Sequence, residues 1–129
     1  GRTVSFKDIA RDVVFLPVEV IDNKFRAISW PILVNSKGDK RIIRPGLFRH
    51  KVILTAKYPE DKSNTIFPGE RYELLYWKGY WKSLGIKIAS EPSIVYAHVP
   101  KGALLWLRNL DKGKQERIFI YEGGEQIWY

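Results

Sequence analysis

The chain has 129 residues, of which 45% are apolar, and this suits a single domain that buries about two thirds of its unfolded surface. It contains no cysteine, which excludes disulfides, thiolate metal sites and cysteine nucleophiles. The formal charge of +8 allows an anionic partner, but the 22 basic residues are interleaved with 14 acids along the chain.

The first half of the chain reads as short extended runs. Only residues 5–11 have a helical pattern, which is one or two turns long. Residues 12–21 form a long extended run, in which Pro17 requires an edge position or a bulge because it cannot donate to a sheet. Asp22 and Asn23 are a suitable tight-turn pair, so we expect residues 24–29 to return antiparallel.

Further strands are expected where apolar residues alternate between turn signals. The densest basic stretch, residues 37–51, is interpreted as solvated loop and strand-edge charge that also limits edge-to-edge aggregation. Around Lys78 and Gly79, a two-residue loop would pair Tyr76 with Trp81, although lysine suits such a turn poorly and a bulged variant is the alternative. The predicted strands are 32–34, 41–44, 51–58, 72–77, 80–88 and 93–99.

The last third, residues 103–129, contains the strongest hairpin signal in the chain. Two apolar runs flank Gly123 and Gly124, and glycine supplies the positive φ that a two-residue hairpin loop needs at both positions. Both faces of this hairpin are apolar, so we expect it to lie inside a layered structure. The predicted register pairs Glu122 with Glu125, Tyr121 with Gln126, Ile120 with Ile127, and Phe119 with Trp128.

Turn signals every eight to twelve residues separate nine to ten short strands in total. This spacing predicts an all-β fold, a two-layer antiparallel β-sandwich of the jelly-roll or galactose-binding-like type. We expect one domain over residues 1–129, with a weak division at the polar segment 60–70 as the alternative.

Residues that support catalysis are sparse, so we do not expect an enzyme. The chain has two histidines, His50 in the basic region and His98, which is expected to share a strand face with Ile94 and Tyr96. These positions give no metal-ligand spacing, and no pair of acids is flanked by the apolar residues that would raise one pKa. The sequence therefore predicts no catalytic residue, metal or cofactor.

Eighteen aromatic residues are the most informative feature of the composition. Most are expected to form the core, but an aromatic ring near a turn reaches solvent and can stack on the apolar face of a sugar or on a nucleobase. Four residues meet this condition and are the candidate ligand-binding residues: Trp30, Trp77, Tyr80 and Trp81.

A series of motifs also carries a resemblance over nearly the whole chain. The motifs are FKD at 6–8, DVVFLPV at 12–18, LTAKYP at 54–59, YELLYW at 72–77, WKSLG at 81–85, VPKGALLWLRNL at 99–110, ERIF at 116–119 and QIW at 126–128. With these motifs the chain resembles the C-terminal β module of large secreted Bacteroidetes proteins. Those proteins carry a transglutaminase-like domain and often discoidin-like, galactose-binding modules.

This resemblance implies a non-catalytic β-sandwich that belongs to a protein exported to the periplasm or cell surface of a host-associated bacterium. The family's Cys-His-Asp triad lies upstream of the module, and this chain has no cysteine to supply it. No binding residue transfers with the resemblance. The chain has no methionine and opens on Gly1, so we interpret it as a processed piece of a longer protein.

Three functions are compatible with these observations. The first is an accessory module that binds carbohydrate or glycoprotein through exposed aromatic residues. The second is a structural module that packs on a neighbouring domain of the parent chain. The third, nucleic-acid binding, is the least favoured because the basic residues are not clustered with aromatic ones. We expect no membrane insertion, because no apolar run reaches the roughly eighteen residues of a span and no signal peptide is present.

Overall fold

The computed structural model describes residues 13–27, 29–35, 37–55, 66–112 and 118–129. These residues form twelve strands and no helix, and every pair of strands is antiparallel. The predicted all-β antiparallel fold is confirmed, but the predicted count of nine to ten strands is too low. One reason is Pro17, which divides a single predicted run into two strands with different partners.

The twelve strands are numbered in chain order. They are β1 Val13–Phe15, β2 Val18–Ile21, β3 Lys24–Ala27, β4 Ile32–Val34, β5 Lys40–Ile42, β6 Arg49–Leu54, β7 Arg71–Trp77, β8 Trp81–Ile88, β9 Ile94–Pro100, β10 Leu104–Asn109, β11 Ile118–Glu122 and β12 Glu125–Trp128.

The chain divides into two compact units, and the boundary lies between Ile43 and Arg44. Unit 1 comprises residues 1–43 with Tyr129. It contains a three-stranded sheet in the order β1-β4-β5 and the β2–β3 hairpin. Asp22 and Asn23 both have positive φ, 52° and 64°, so the predicted tight turn of this hairpin is confirmed.

Unit 2, residues 44–128, is a two-layer sandwich. A five-stranded sheet in the order β12-β11-β10-β7-β8 faces a two-stranded sheet of β6 and β9. Alternate residues of each strand enter the space between the layers, which is why the sequence alternates as it does. The core between the layers is formed by Val52, Leu54, Ile66, Tyr72, Leu74, Tyr76, Ala89, Ile94, Tyr96, Val99, Ala103, Leu105, Leu107 and Phe119.

The β11–β12 hairpin has the predicted register. Phe119 pairs with Trp128, and the pairing continues in step to the Glu122–Glu125 pair. Gly123 and Gly124 supply the two positive φ angles of the loop, 62° and 78°. Phe119 and Ile120 point to opposite faces and both are fully buried, so both faces of this strand are covered as predicted.

The β7–β8 connection differs from its predicted form. Trp77 pairs with Trp81 and Tyr76 with Lys82, so the loop has three residues rather than two. Gly79, with φ of 85°, is the loop residue that takes the left-handed conformation. Lysine at position 78 does not favour positive φ, which explains why a two-residue primed turn does not form.

His98 lies on a different side of its strand from the predicted one. Tyr96 pairs with Val52 and Val99 with His50, so β9 carries one more residue than β6 in this interval. This β-bulge reverses the alternation, which buries Val99 and leaves His98 exposed. The expectation that His98 shares the core face of Tyr96 is therefore wrong.

Two predictions fall wholly or largely outside the described residues. They are the short helix at residues 5–11 and most of the polar segment 60–70 at which a division was considered. The single-domain assignment stays a prediction. Across the described ranges, no helical segment has the length and hydropathy to traverse a bilayer.

Candidate functional site

The candidate site lies on the face of the five-stranded sheet that is turned away from the core of unit 2. Along β7, Tyr72, Leu74 and Tyr76 enter the core, so Trp77 projects from the opposite face. The same alternation in β10 places Leu105 and Leu107 in the core and Trp106 on the opposite face. We call this opposite surface the second face.

Three tryptophans contact one another on the second face, and we call them the tryptophan cluster. The ring centroids of Trp77 and Trp81 are 5.3 Å apart with an interplanar angle of 72°. Those of Trp81 and Trp106 are 5.4 Å apart at 60°. Edge-to-face contacts of this kind are favoured by the ring quadrupoles. Because the rings are tilted, the cluster forms a corner rather than a flat platform.

The loop between β7 and β8 brings a fourth aromatic ring beside the cluster. Tyr80 directly precedes Trp81 and is 56% exposed. The Lys78 N–H donates to the Tyr80 carbonyl at 2.9 Å, which closes the three-residue loop. Tyr80 therefore stands at the solvent side of a fixed turn, where a side chain is free to meet a ligand.

A cation and an acid lie at the border of the cluster. The guanidinium carbon of Arg108 is 5.1 Å from the centroid of the Trp106 ring, a cation–π contact. Its Nη1 is 3.5 Å from Oε1 of Glu73 on the neighbouring strand. The Glu73 side chain is mostly shielded and that of Arg108 is partly exposed. Aromatic rings, hydrogen-bond donors and a carboxylate acceptor therefore meet in one place.

Two donors in this region have no acceptor among the described residues. They are Nε1 of Trp77 and Nε of Arg108, and both atoms are shielded from solvent. A buried donor without an acceptor costs about 1–3 kcal/mol, so this part of the second face is not optimised for stability.

The structure brings together some of the predicted site residues but not all. Trp77 and Trp81 contact each other, and Tyr80 lies in the loop between them. Trp30 is half-buried in unit 1, just before β4, and is described with that unit. Trp106, Arg108 and Glu73 were not predicted. Alternation along β10 was the signal for the first two, since Trp106 and Arg108 flank the apolar Leu107.

A second feature is a pair of cavities on the two sides of Tyr121. One, of about 480 Å³, is lined mainly by β6 and the β11–β12 hairpin, and the other, of about 260 Å³, includes His50, Lys101 and Glu122. Burial, with the Lys101 ammonium as a smaller cause, lowers the pKa of His50 below its ordinary value. The His50 and Tyr121 rings meet edge to face at 5.7 Å.

Two side chains of the hairpin hydrogen-bond to the backbone of β6 inside the larger cavity. The Ile53 N–H donates to the Tyr121 hydroxyl at 3.4 Å, and the Thr55 N–H donates to Oε1 of Gln126 at 3.0 Å. These contacts satisfy two N–H groups on the edge of β6 that does not pair with β9. The hairpin side chains therefore cover part of a strand edge beside the larger cavity, which limits association through that edge.

Within the described ranges, no group of three His, Asp or Glu side chains lies close enough to hold a metal ion. The tryptophan cluster offers π faces, hydrogen-bond donors and one carboxylate, which can hold a polar ligand that also has an apolar face.

No protein-family model, curated protein or solved structure matches this chain. The resemblance to the β module of secreted Bacteroidetes proteins therefore stays a prediction.

Proposed function

We propose that this chain is a non-catalytic accessory module that binds carbohydrate, free or as part of a glycoprotein, through the tryptophan cluster and Tyr80. The observation that carries the proposal is the corner formed by Trp77, Trp81 and Trp106, with Arg108 and Glu73 at its border. The C–H groups on one face of a sugar ring are weakly positive and pack on the negative face of an aromatic ring.

The shape of the corner indicates the size of the ligand. Rings inclined at 72° and 60° hold a sugar unit that rests on one ring face and meets the edge of the next. A long, flat polysaccharide chain would instead need rings in one plane. We therefore favour a single terminal sugar or a short branch, whose hydroxyl groups would accept from Arg108 and donate to Glu73.

The proposal keeps the predicted setting of the module. In this interpretation the sandwich, of the jelly-roll or galactose-binding-like type, accompanies other domains of a longer exported protein in the periplasm or at the cell surface. Its task there is to hold the parent protein near its glycan.

The test is a titration of the full chain with a broad glycan panel, followed by tryptophan fluorescence, with affinities measured for each responding glycan. We expect Tyr80→Ala to weaken binding about three- to tenfold, the value of one aromatic contact. Trp81→Ala and Arg108→Gln should weaken it by about tenfold or more. The matched control is Phe25→Ala, which removes an exposed aromatic ring from unit 1 and should leave binding unchanged.

Two results would contradict this function. One is the absence of any response across the panel. The other is a glycan that Tyr80→Ala and Arg108→Gln bind as tightly as the unsubstituted chain. Because Tyr80 is exposed, its substitution should not disturb folding, and circular dichroism of each variant separates lost binding from lost structure.

A second candidate function rests on two exposed isoleucines. Ile86 and Ile88 lie on the same face of β8 as Trp81 and extend its apolar surface along an edge strand. A surface of this kind favours contact with a neighbouring protein domain. In that case the double substitution Ile86→Ser/Ile88→Ser would abolish association with the neighbouring domain. The unsubstituted chain would show no fluorescence response to any glycan of the panel.

A further inference from the structure

The most exposed apolar side chains that the structure describes are adjacent in the loop before β6. Leu47 is 98% exposed and Phe48 is 79% exposed, the two highest values among large apolar residues in the described ranges. Two neighbouring apolar side chains that are exposed to water have a higher free energy than the same side chains when buried. Their position therefore needs an explanation outside the core of unit 2.

The loop that carries them is held in place by its backbone. The Gly46 N–H donates to the Lys101 carbonyl at 2.7 Å, and the Lys101 N–H donates to the Phe48 carbonyl at 2.9 Å. A Cβ atom at position 46 would lie 2.8 Å from the Lys101 carbonyl oxygen, so glycine permits this close approach. Leu47 and Phe48 are thus presented on a loop that is anchored to the β9–β10 turn.

Basic residues surround the two apolar side chains. Arg44 and Arg49 flank them in sequence, Lys51 follows on β6, and Lys101 lies at the anchoring turn, and all four are exposed. We call Leu47, Phe48 and these four cations the basic tip.

Acids are scarce near this loop. The sequence contains none from residue 40 to 55 or from residue 92 to 110, the two segments that build the tip. The neighbouring cavity brings in one acid, Glu122, beside His50 and Lys101. The local charge is therefore strongly positive, which attracts an anionic surface.

We propose that the basic tip docks on the surface of an anionic phospholipid bilayer. Leu47 and Phe48 would enter the boundary between head groups and acyl chains, while the four cations contact lipid phosphates. An apolar contact with added basic charge is the combination that makes peripheral membrane binding stable. This contact is superficial and differs from the membrane-spanning segment whose absence the sequence predicts.

The geometry favours a bilayer over an acidic protein partner. Leu47 and Phe48 are highly exposed and line neither of the two cavities beside Tyr121, so a protein would need a matching pocket to bury them. A fluid lipid surface accepts protruding side chains without such a pocket. The cations come from two segments of the chain, residues 44–51 and the β9–β10 turn, which suits a surface of many equivalent phosphates.

A second exposed apolar site in the chain supplies an internal control. The β2–β3 hairpin exposes Val20 and Phe25, at 60% and 77%, so it matches the tip in size and apolar character. Its charges are balanced, however, since Glu19 and Asp22 accompany Lys24 and Arg26. The proposal assigns membrane binding to the tip and not to this hairpin.

The experiment is flotation of the full chain with vesicles of phosphatidylcholine alone or mixed with phosphatidylglycerol. We expect binding to the mixed vesicles that weakens as salt is added. L47S/F48S should lower the partition coefficient about tenfold or more, because two buried side chains are lost. R44Q/R49Q/K101Q should lower it by a similar factor, and V20S/F25S should leave it unchanged.

Each other outcome overturns the proposal. Failure to bind either vesicle, or equal binding to both, removes the role of anionic lipid. Unchanged binding of L47S/F48S means simple electrostatic adsorption, and loss of binding in V20S/F25S assigns the contact to the hairpin. If polyglutamate or a nucleic acid competes fully at equal charge concentration, the partner is a polyanion and not a bilayer. Tyr80→Ala should bind vesicles normally, so this test is independent of the glycan proposal.

Discussion

Two groups of aromatic side chains in unit 2 differ in setting, those in the core between the sheets and those on the second face of the larger sheet. In the core, tyrosine hydroxyl groups find partners. The Phe67 N–H donates to the Tyr72 hydroxyl at 2.9 Å, and the Tyr96 hydroxyl donates to the Gly85 carbonyl at 2.9 Å. Both tyrosines are almost completely buried. Their rings therefore contribute apolar burial without leaving a polar group unsatisfied.

On the second face, the tryptophans of the cluster are half-buried, and one of them has an unsatisfied donor among the described residues. Trp77 keeps a shielded Nε1 without an acceptor among the described residues, and so does Nε of the neighbouring Arg108. These two core tyrosines therefore have bonded hydroxyl groups, whereas Trp77 and Arg108 each keep one donor without an acceptor among the described residues. If the proposed function holds, this difference separates the aromatic residues that stabilise the fold from those that contact a ligand.

The largest expected effect tests this division directly. Phe119 is fully buried and packs against Trp128 at 4.8 Å between ring centroids. Phe119→Ala should lower the free energy of unfolding by about 3–5 kcal/mol, because it leaves a cavity in the core. Trp81→Ala removes a larger ring but should cost less than half as much, since its site is already partly solvated. Chemical denaturation measures both.

Equal losses for Phe119→Ala and Trp81→Ala would contradict the division between the two settings. The exposed Leu47 is a suitable control, since Leu47→Ala should change the free energy of unfolding by less than about 0.5 kcal/mol.

The second prediction concerns alkaline pH. Burial, with the Glu73 carboxylate as a smaller cause, raises the pKa of Tyr96 to about 12. In the unfolded chain this phenol ionises near its ordinary value of 10, so the folded state binds more protons between the two values. Its contribution to stability is complete below pH 10 and is lost as the pH rises towards 12.

Tyr96→Phe isolates this contribution. The variant should show a shallower fall in unfolding free energy between pH 10 and 12, and one tyrosine fewer in the late phase of the ultraviolet tyrosinate titration. An unchanged slope of stability with pH in the variant would mean that Tyr96 ionises as it does in the unfolded chain.

The third prediction compares one hydroxyl with one indole N–H. Tyr72→Phe removes the acceptor of the Phe67 N–H, a bond made at 2.9 Å, and should cost about 1–2 kcal/mol. Trp77→Phe removes a donor that lacks an acceptor among the described residues, so the loss of ring area is offset by relief of that unsatisfied group. Its net cost should be smaller than that of Tyr72→Phe, as measured by urea denaturation. The opposite order would show that Nε1 of Trp77 is satisfied in solution.

Sequence patterns predicted those parts of the fold that local geometry determines. Gly123 and Gly124 need positive φ, and this alone sets the register of β11 and β12. Alternation also predicted the core face of β6, where Val52 and Leu54 are fully buried.

Features that depend on an inserted residue were not predictable in this way. β9 holds one extra residue opposite β6, so the buried residue that follows Tyr96 is Val99, and His98 is exposed. β8 holds another opposite β7, where Gly85 adopts φ of 114°. Each bulge exchanges the two faces of a strand. A glycine inside a strand is a local signal for the bulge in β8, whereas no residue type marks the bulge in β9.

The sequence predicted only the part of the candidate site that lies on the β7–β8 hairpin. Trp77, Tyr80 and Trp81 are close in sequence to one turn, and the turn was recognisable. Trp106 comes from β10, which pairs with β7 although β8 and β9 lie between them in sequence. β8 pairs with the other edge of β7, and β9 pairs with β6 in the other layer. Strand order across the layers is a tertiary property, so the cluster required the structure.

The smallest expected effect extends the comparison from the faces of the sandwich to its edge. The Thr55 N–H on the free edge of β6 donates to Oε1 of Gln126 at 3.0 Å. Gln126→Ala should cost only about 0.5–1.5 kcal/mol, because the released N–H group is near solvent and can bond to water. Hydrogen exchange at the Thr55 amide should accelerate, and association at high concentration should increase because a strand edge is opened.

Gln126→Glu keeps an acceptor oxygen and is the matched control, with slow exchange and no new association. If the Thr55 amide exchanges equally in the unsubstituted chain and Gln126→Ala, the hairpin does not protect this edge, and the larger cavity becomes a candidate site for strand addition.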